Sequence, residues 1–287
     1  MQLWKILKMN LEFEALGTKW LIKSSNKPNQ NLDIEILKKI NDFENTFSRF
    51  NNNSLISNLK NIIGVCKVNE DFTEILKIYF EFENLSEGKF TPLIGENLER
   101  IGYDRNYSFK QNSQIIDLPR LSEAIEVIDE NTIKLKQKVN LDFGAIGKGF
   151  LVDKVADFLK NYCSNFYINA GGDIYYFDIL DRPLEIFLEN PLDSKKAIAK
   201  IQLPSSFAIC GSSNNRRKWY YFSHIIGSSE EIIASWAIHE KCSYADALST
   251  CLMLSLKINY MKSELFILDK EFNLHNSNTL KTNIEYY

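Results

Sequence analysis

The chain is predicted to be an α+β protein with mainly antiparallel sheets and packed helices, and three observations carry that prediction. Apolar residues alternate at a period of two along much of its second half, the spacing of half-buried strands. Turn residues separate those runs at distances that suit hairpins rather than crossover helices. The segments of helical spacing are few and do not alternate regularly with strands, which argues against a doubly wound parallel sheet.

From the N-terminal side, Phe13 to Lys23 reads as a strand that bends at Gly17. Ile34, Leu37, Ile40, Phe43 and Phe47 recur at helical spacing, so a helix is predicted over Leu32 to Phe50, running into the polar turn Asn51-Asn52-Asn53. Phe72 to Leu85 is a second amphipathic helix that closes at Glu87-Gly88. A loop-rich region follows through Asn112, and Ile133, Leu135, Val139 and Leu141 predict a strand pair. Next come a glycine-rich turn, a helix with Val152, Val155 and Leu159 on one face, and a buried strand ending at Gly171-Gly172. Leu184, Ile186 and Leu188 alternate, as do Ile201 and Leu203, and Trp219 to Ile226 is aromatic and β-branched. Arg216 and Arg217 fall in a hairpin tip, read as a solvated turn. A strand over Ile232 to Ile238 precedes a helix from Ser243 to about Leu256, and Leu265 to Leu268 with a last segment near the C-terminus completes the order. No linker or repeat interrupts residues 1–287, so a single domain is expected.

An apolar content of 45% with 25% charged residues is that of a globular chain with a core rather than a disordered one. The net charge of −3 supplies no basic field for nucleic acid, and no apolar run is long enough to span a bilayer. In the opening MQLWKILKMNLEFE, Lys5 and Lys8 interrupt the apolar run, unlike a signal peptide, and no cysteine stands there to take a lipid. The five cysteines are odd in number and lack C-x-x-C spacing, which fits reduced thiols. The expectation is a cytoplasmic protein, or an exported one if a leader was removed.

The segment Asn140 to Asp173 is the most informative. Glycines 144, 147 and 149 let a backbone approach a ligand closely. A helix start after them offers free N–H groups and a positive dipole end to a phosphate, with Lys148 adding a full charge. The order G-x-x-G-x-G is neither a P-loop nor a dinucleotide fingerprint. A glycine turn that only lets a helix pack tightly remains an alternative. In YADALST, Asp246 and Thr250 are four apart and share a helical face, a beginning for a hard-cation site. The same Asp246 also fits a capping box with Ser243 as N-cap. His224, in YYFSHII, reads equally as a packed side chain of a strand.

Together these pieces resemble the ApbE family of FAD:protein FMN transferases. FEALGT (13–18) is similar to F-x-A-M-G-T, with Leu16 for methionine. ENTFSRFNNNSLISNLK (44–60), LSEGKFTPLIGENLERIGY (85–103), LDFGAIGKGFLVDKV (141–155), INAGGDI, SHII and ADALST follow in the family's order. The resemblance implies an ApbE-like, T-fold-like architecture and a Mg²⁺-dependent reaction. In it FAD is the substrate, FMN passes to a threonine of an acceptor protein, and AMP leaves. It further implies that Asp142 and Lys148 contact FAD, and that Leu16, Phe50, Lys89, Phe90, Thr91 and Ile226 line its pocket. Gly171 and Gly172 would border the phosphates, Ala145 (through its carbonyl), Asp246 and Thr250 would hold Mg²⁺, and His224 matches the family's proposed base. Thr91 stands where the family has an acid, and Ile226-Gly227-Ser228-Ser229 replaces its I-D-P-x-T-G. These departures keep two other readings open: a pyrophosphatase that splits FAD into FMN and AMP, and an FAD-binding protein without catalysis. The family's acceptor motif D-G-x-[ST]-[GS]-A-T does not occur in the chain, so self-modification is not expected.

Overall fold

The computed structural model describes residues 9–26, 31–214, 218–219, 222–255, 260, 262–280 and 282–287. The elements open with β1 (Met9–Ala15), β2 (Thr18–Ser24), α1 (Leu32–Phe47), α2 (Leu55–Leu59), β3 (Gly64–Lys67) and α3 (Glu70–Leu85). A short 3-10 turn (Pro92–Ile94) leads to α4 (Gly95–Arg100), α5 (Leu121–Ala124), β4 (Ile125–Asp129), β5 (Thr132–Leu135), α6 (Gly147–Lys160), β6 (Asn165–Ala170) and β7 (Asp173–Asp178). Then come β8 (Leu184–Asn190), β9 (Asp193–Leu203), β10 (Phe207–Ser213), β11 (Lys218–Trp219), β12 (Phe222–Ser223) and β13 (Ile232–His239). The chain closes with α7 (Cys242–Met253), β14 (Glu264–Asp269), β15 (Leu274–Asn276) and β16 (Ile284–Tyr286).

These elements form two compact units: Met1–Ile40, Lys148–Arg216 and Ser228–Tyr287 make the first, Asn41–Gly147 and Arg217–Gly227 the second. In the first, eight strands lie in the order β1-β2-β6-β7-β10-β13-β14-β15, each antiparallel to its neighbours. The expected bend at Gly17 is a full reversal: Leu16 and Gly17 have φ of 52° and 68°, the left-handed pair that a two-residue hairpin turn requires. Gly171 and Gly172 close the β6–β7 hairpin in the same way, at φ of 65° and 107°. A three-stranded sheet, β16-β9-β8, packs Ile186, Leu188, Ala199, Ile201 and Leu203 against Tyr176, Ile209, Ile238 and Phe266 of the large sheet. α7 lies on β10 and β13. α6 buries Val152, Val155 and Leu159, the predicted stripe, completely.

The second unit contains the sheet β3-β5-β4, whose central β5 pairs with both neighbours. Val139 and Leu141 are buried but belong to no strand, contrary to the predicted pair. Just beyond them the backbone bonds elsewhere, the Asp142 N–H donating to the Pro92 carbonyl at 2.8 Å. α3 starts at Asn69, whose side chain accepts the Phe72 N–H at 3.0 Å, with Glu70 and Asp71 in its first turn. Phe47, Phe72, Tyr79, Phe90 and Phe143 pack their rings at centroid distances of 5.3–5.8 Å into an aromatic core. The predicted strand over Trp219 to Ile226 is only β11 and β12, and the tip with Arg216 and Arg217 lies outside the described residues. Among the described residues no helix is long and apolar enough to cross a membrane.

Candidate active site

In the first unit the chemistry collects where α6 begins. Lys148 ion-pairs with Asp173, the residue directly after the Gly171-Gly172 turn, and its Nζ lies 3.5 Å from Asp246 Oδ2. Both carboxylates are buried, so two acids share one ammonium. Burial first, and then the charge of Asp173, push Asp246 up to about 7. Burial pulls Lys148 downward, but Asp173 and Asp246 outweigh it and hold the ammonium well above the ordinary lysine range. Asp246 Oδ2 also accepts the Gly149 N–H at 3.1 Å.

Gly149 is required for that approach. A Cβ there would collide with the Cys242 carbonyl and stand 2.9 Å from Asp246 Cβ, so α6 and α7 meet backbone to backbone. Thr250, one turn beyond Asp246, has its Oγ1 3.3 Å from Ser212 Oγ, which lies 2.8 Å from Ser249 Oγ. The shared face of Asp246 and Thr250 therefore exists as expected.

The capping box does not. Lys241 is the N-cap of α7 and makes no side-chain cap bond. The helix start is held instead by Asp153 of α6, which accepts the Cys242 N–H at 2.7 Å, the Ser243 N–H at 2.9 Å and the Ser243 hydroxyl at 2.7 Å. Asp246 is thus free of its own helix terminus. The donors offered by Asp246 and Thr250 are oxygens, suited to a hard cation, and two acids against one lysine leave the cluster short of positive charge. Among the described residues no group of three His, Cys, Asp or Glu side chains stands ready to hold a metal. An ion here would therefore also draw on hydroxyl, carbonyl or ligand oxygens.

In the second unit Asp142 accepts the Arg49 Nε–H and the Gly144 N–H, each at 2.8 Å. Arg49 is buried, with its guanidinium carbon 4.5 Å from the Phe50 ring centroid. Phe50 stacks on Tyr107 at 5.1 Å and meets Tyr103 edge-on at 5.6 Å. Ile226 packs with it against Leu98, Ile101 and Tyr103. Phe90 is buried, while Lys89 is exposed. Thr91 caps the 3-10 turn, its hydroxyl accepting the Leu93 N–H at 3.3 Å, so this residue has a structural task in place of the family's acid. Ala145 is half-buried in the turn that leads into α6. His224 is half-buried in a bend after β12, not inside a strand as predicted.

Four residues of these clusters escaped sequence reasoning: Asp173, Asp153, Arg49 and Ser212. Two of them had a local signal: Asp173 stands directly after the paired glycines, and Asp153 falls within the LDFGAIGKGFLVDKV segment that carries the resemblance.

The family model of ApbE matches residues 16–262. A protein of Chlamydia muridarum named FAD:protein FMN transferase is 25% identical over 276 residues, 86% of this chain and 82% of that one. A protein of the same name from Vibrio cholerae is 25% identical over 279 residues, covering 86% and 81%. The crystal structure of an ApbE protein from Thermotoga maritima superposes with a TM-score of 0.81 at 22% identity, covering 95% of this chain and 98% of that one. The flavin transferase ApbE of Vibrio cholerae gives 0.75 at 20%, with the same coverage. These two structures establish the mixed α+β fold with antiparallel sheets. The family match spans most of the sequence, and the chain belongs to the ApbE family.

Proposed function

We propose that this chain is a Mg²⁺-dependent transferase that moves FMN from FAD onto a threonine of an acceptor protein and releases AMP. The observation that carries the reading is the freed carboxylate of Asp246. It is buried beside Lys148, with Thr250 one turn further on and its helix capped by a different residue. A structural acid in that position would serve its own helix. The relatives named above, both called FAD:protein FMN transferase, support the same chemistry.

In this reading Asp142 and Lys148 contact FAD, and Leu16, Phe50, Lys89, Phe90, Thr91 and Ile226 line its pocket. Gly171 and Gly172 border the phosphates, in a turn where no Cβ limits close approach. Asp246, Thr250 and the Ala145 carbonyl would hold Mg²⁺, which when bound supplies neutralisation of pyrophosphate charge. The threonine oxygen forms a bond to the FMN phosphorus, and the bond from that phosphorus to the bridging oxygen retained by AMP breaks. The hydroxyl proton passes to His224, a contribution worth about 10²–10⁴ in rate for a positioned base.

The test is to incubate the protein with FAD, Mg²⁺ and an acceptor bearing the D-G-x-[ST]-[GS]-A-T motif. Flavin fluorescence that stays with the acceptor in a denaturing gel, matched by AMP, is the expected result. Free FMN and AMP without labelling would identify a pyrophosphatase. FAD binding with no AMP under any condition would identify a binding protein.

A further inference from the structure

β10 runs inside the eight-stranded sheet, paired with β7 on one edge and β13 on the other, and α7 lies against it. Cys210 and Ser212 alternate on this strand and so point to one face. That is the face which α7 covers: Ser212 Oγ is 2.8 Å from Ser249 Oγ, and Cys210 Sγ is 3.4 Å from Cys242 Sγ. Cys242 is the first residue of α7, about two turns before Ser249. Helix and strand are thus tied by hydroxyls at one point and brought thiol to thiol at another. No other pair of cysteine sulfurs among the described residues comes within contact distance.

The backbone on both sides of this contact is already fixed. Asp153 accepts the Cys242 N–H at 2.7 Å, and Gly149 stands so close to the Cys242 carbonyl that no Cβ fits between them. Cys210 is held by its register opposite Ala237. A disulfide needs its sulfurs at about 2.05 Å, so a side-chain adjustment of about 1.4 Å separates contact from bond. Neither residue has exposed surface, and burial raises both thiols. The thiolate that attacks an oxidant is therefore scarce and out of reach once the chain has folded. In the unfolded chain the same two thiols are open to solvent.

We propose that Cys210 and Cys242 form a disulfide when the chain folds against a small-molecule disulfide oxidant, stapling the start of α7 to β10. One cysteine thiolate attacks the S–S bond of the oxidant and expels one thiolate from it, leaving a mixed disulfide. The second cysteine attacks the protein sulfur of that mixed disulfide and expels the other thiolate. The protein loses two hydrogens, and the oxidant leaves as two thiols that carry those protons and both electrons. α7 bears Asp246 and Thr250, and β10 bears Ser212, so the staple fixes the helix of the oxygen cluster against its sheet. The bond depends on the fold alone and goes beyond the transferase reading.

The experiment refolds the whole protein from denaturant in glutathione disulfide, with reduced glutathione alone as the reference, and maps its peptides by mass spectrometry after alkylation in denaturant. The expected product is two hydrogens lighter, with Cys210 linked to Cys242 and alkyl groups on Cys66, Cys163 and Cys251. It should melt about 5–10 °C above the reduced protein, because the bond closes a loop of 32 positions. Cys242→Ala should abolish both the link and the difference in melting. Cys251→Ala removes a buried thiol that meets no other and should keep both, so the outcome is read even where Cys242→Ala does not fold. Oxidant added after folding should link the pair at least about tenfold more slowly than oxidant present during refolding. Five alkylated thiols after oxidative refolding, glutathione adducts in place of the link, or a different pairing overturns the proposal. So does a linked form that melts no higher than the reduced one, and so does equal linkage whether the oxidant is added before or after folding.

Discussion

Replacing Asp246 with asparagine should stabilise the metal-free protein while abolishing Mg²⁺-dependent turnover. The carboxylate is buried with Asp173 nearby and a single ammonium, Lys148, to serve both. Because burial and Asp173 raise its pKa from 3.8 to about 7, the folded protein holds a proton that the unfolded chain has released across that window. Stability therefore falls as pH rises from about 4 to about 7 and stays low above it. The gap between 3.8 and about 7 sets a ceiling of about 4 kcal/mol. Lys148 loses one of its two carboxylates in the variant, which takes back part of that gain. About half the ceiling, roughly 2 kcal/mol, corresponds to about 4–8 °C in a domain of this size class. Asparagine retains an oxygen for the Gly149 N–H, so no buried donor is orphaned. Thermal melts in chelator should put the variant ahead at pH 8, by a margin that shrinks as pH is lowered towards 4. Adding Mg²⁺ should then raise the melting temperature of the wild type alone, by the equivalent of about 2.7 kcal/mol at one hundred times its Kd. A variant that melts below the wild type in chelator at pH 8, by a margin insensitive to pH, would show that Asp246 is a structural tie through Lys148 and Gly149, and the reasoning would fail.

Three further outcomes are expected. His224→Ala should bind FAD normally, by fluorescence titration, yet transfer FMN at least about a hundredfold more slowly; an unchanged rate removes His224 from the mechanism. Asp153→Ala leaves two backbone N–H groups and the Ser243 hydroxyl without their acceptor, which should cost at least about 2 kcal/mol in urea titrations. Burial pushes Asp153 up to about 6, so the wild type is stabler below that pH and the deficit should be larger at pH 5 than at pH 8. Gly149→Ala should destabilise by about 1–3 kcal/mol despite the helical gain of alanine, because the added methyl meets the Cys242 backbone; a stabler variant would mean that α6 and α7 do not touch there.

The fold was legible wherever a local pattern decided it. α1, α3 and α7 follow from apolar spacing, and β8, β9, β13 and β14 from alternation. What local pattern does not decide is the partner. Val139 and Leu141 alternate like a strand, and both are buried like one, yet β5 already has a neighbour on each edge. The Leu16-Gly17 step reads as a bend because leucine is a poor residue for a left-handed turn. Only the pairing of β1 with β2 reveals a hairpin tight enough to hold it there.

The site was legible in its residue types and illegible in its division of labour. Ser243 and Asp246 have the spacing of a capping box, and nothing within a few residues of them argues otherwise. The argument against it stands 90 positions upstream, in Asp153, whose carboxylate takes the first N–H groups of α7. That long-range cap has two effects at once. It satisfies a helix start that is buried and has no side-chain cap of its own. It also releases Asp246 to turn toward Lys148 and the start of α6, where a second acid makes its charge expensive to keep. A protein that needed only a stable α7 would let the near residue cap it. Spending a distant aspartate on the cap, and leaving the near one buried in a cluster short of positive charge, makes sense if the cluster has a cation and a phosphate ligand to bind.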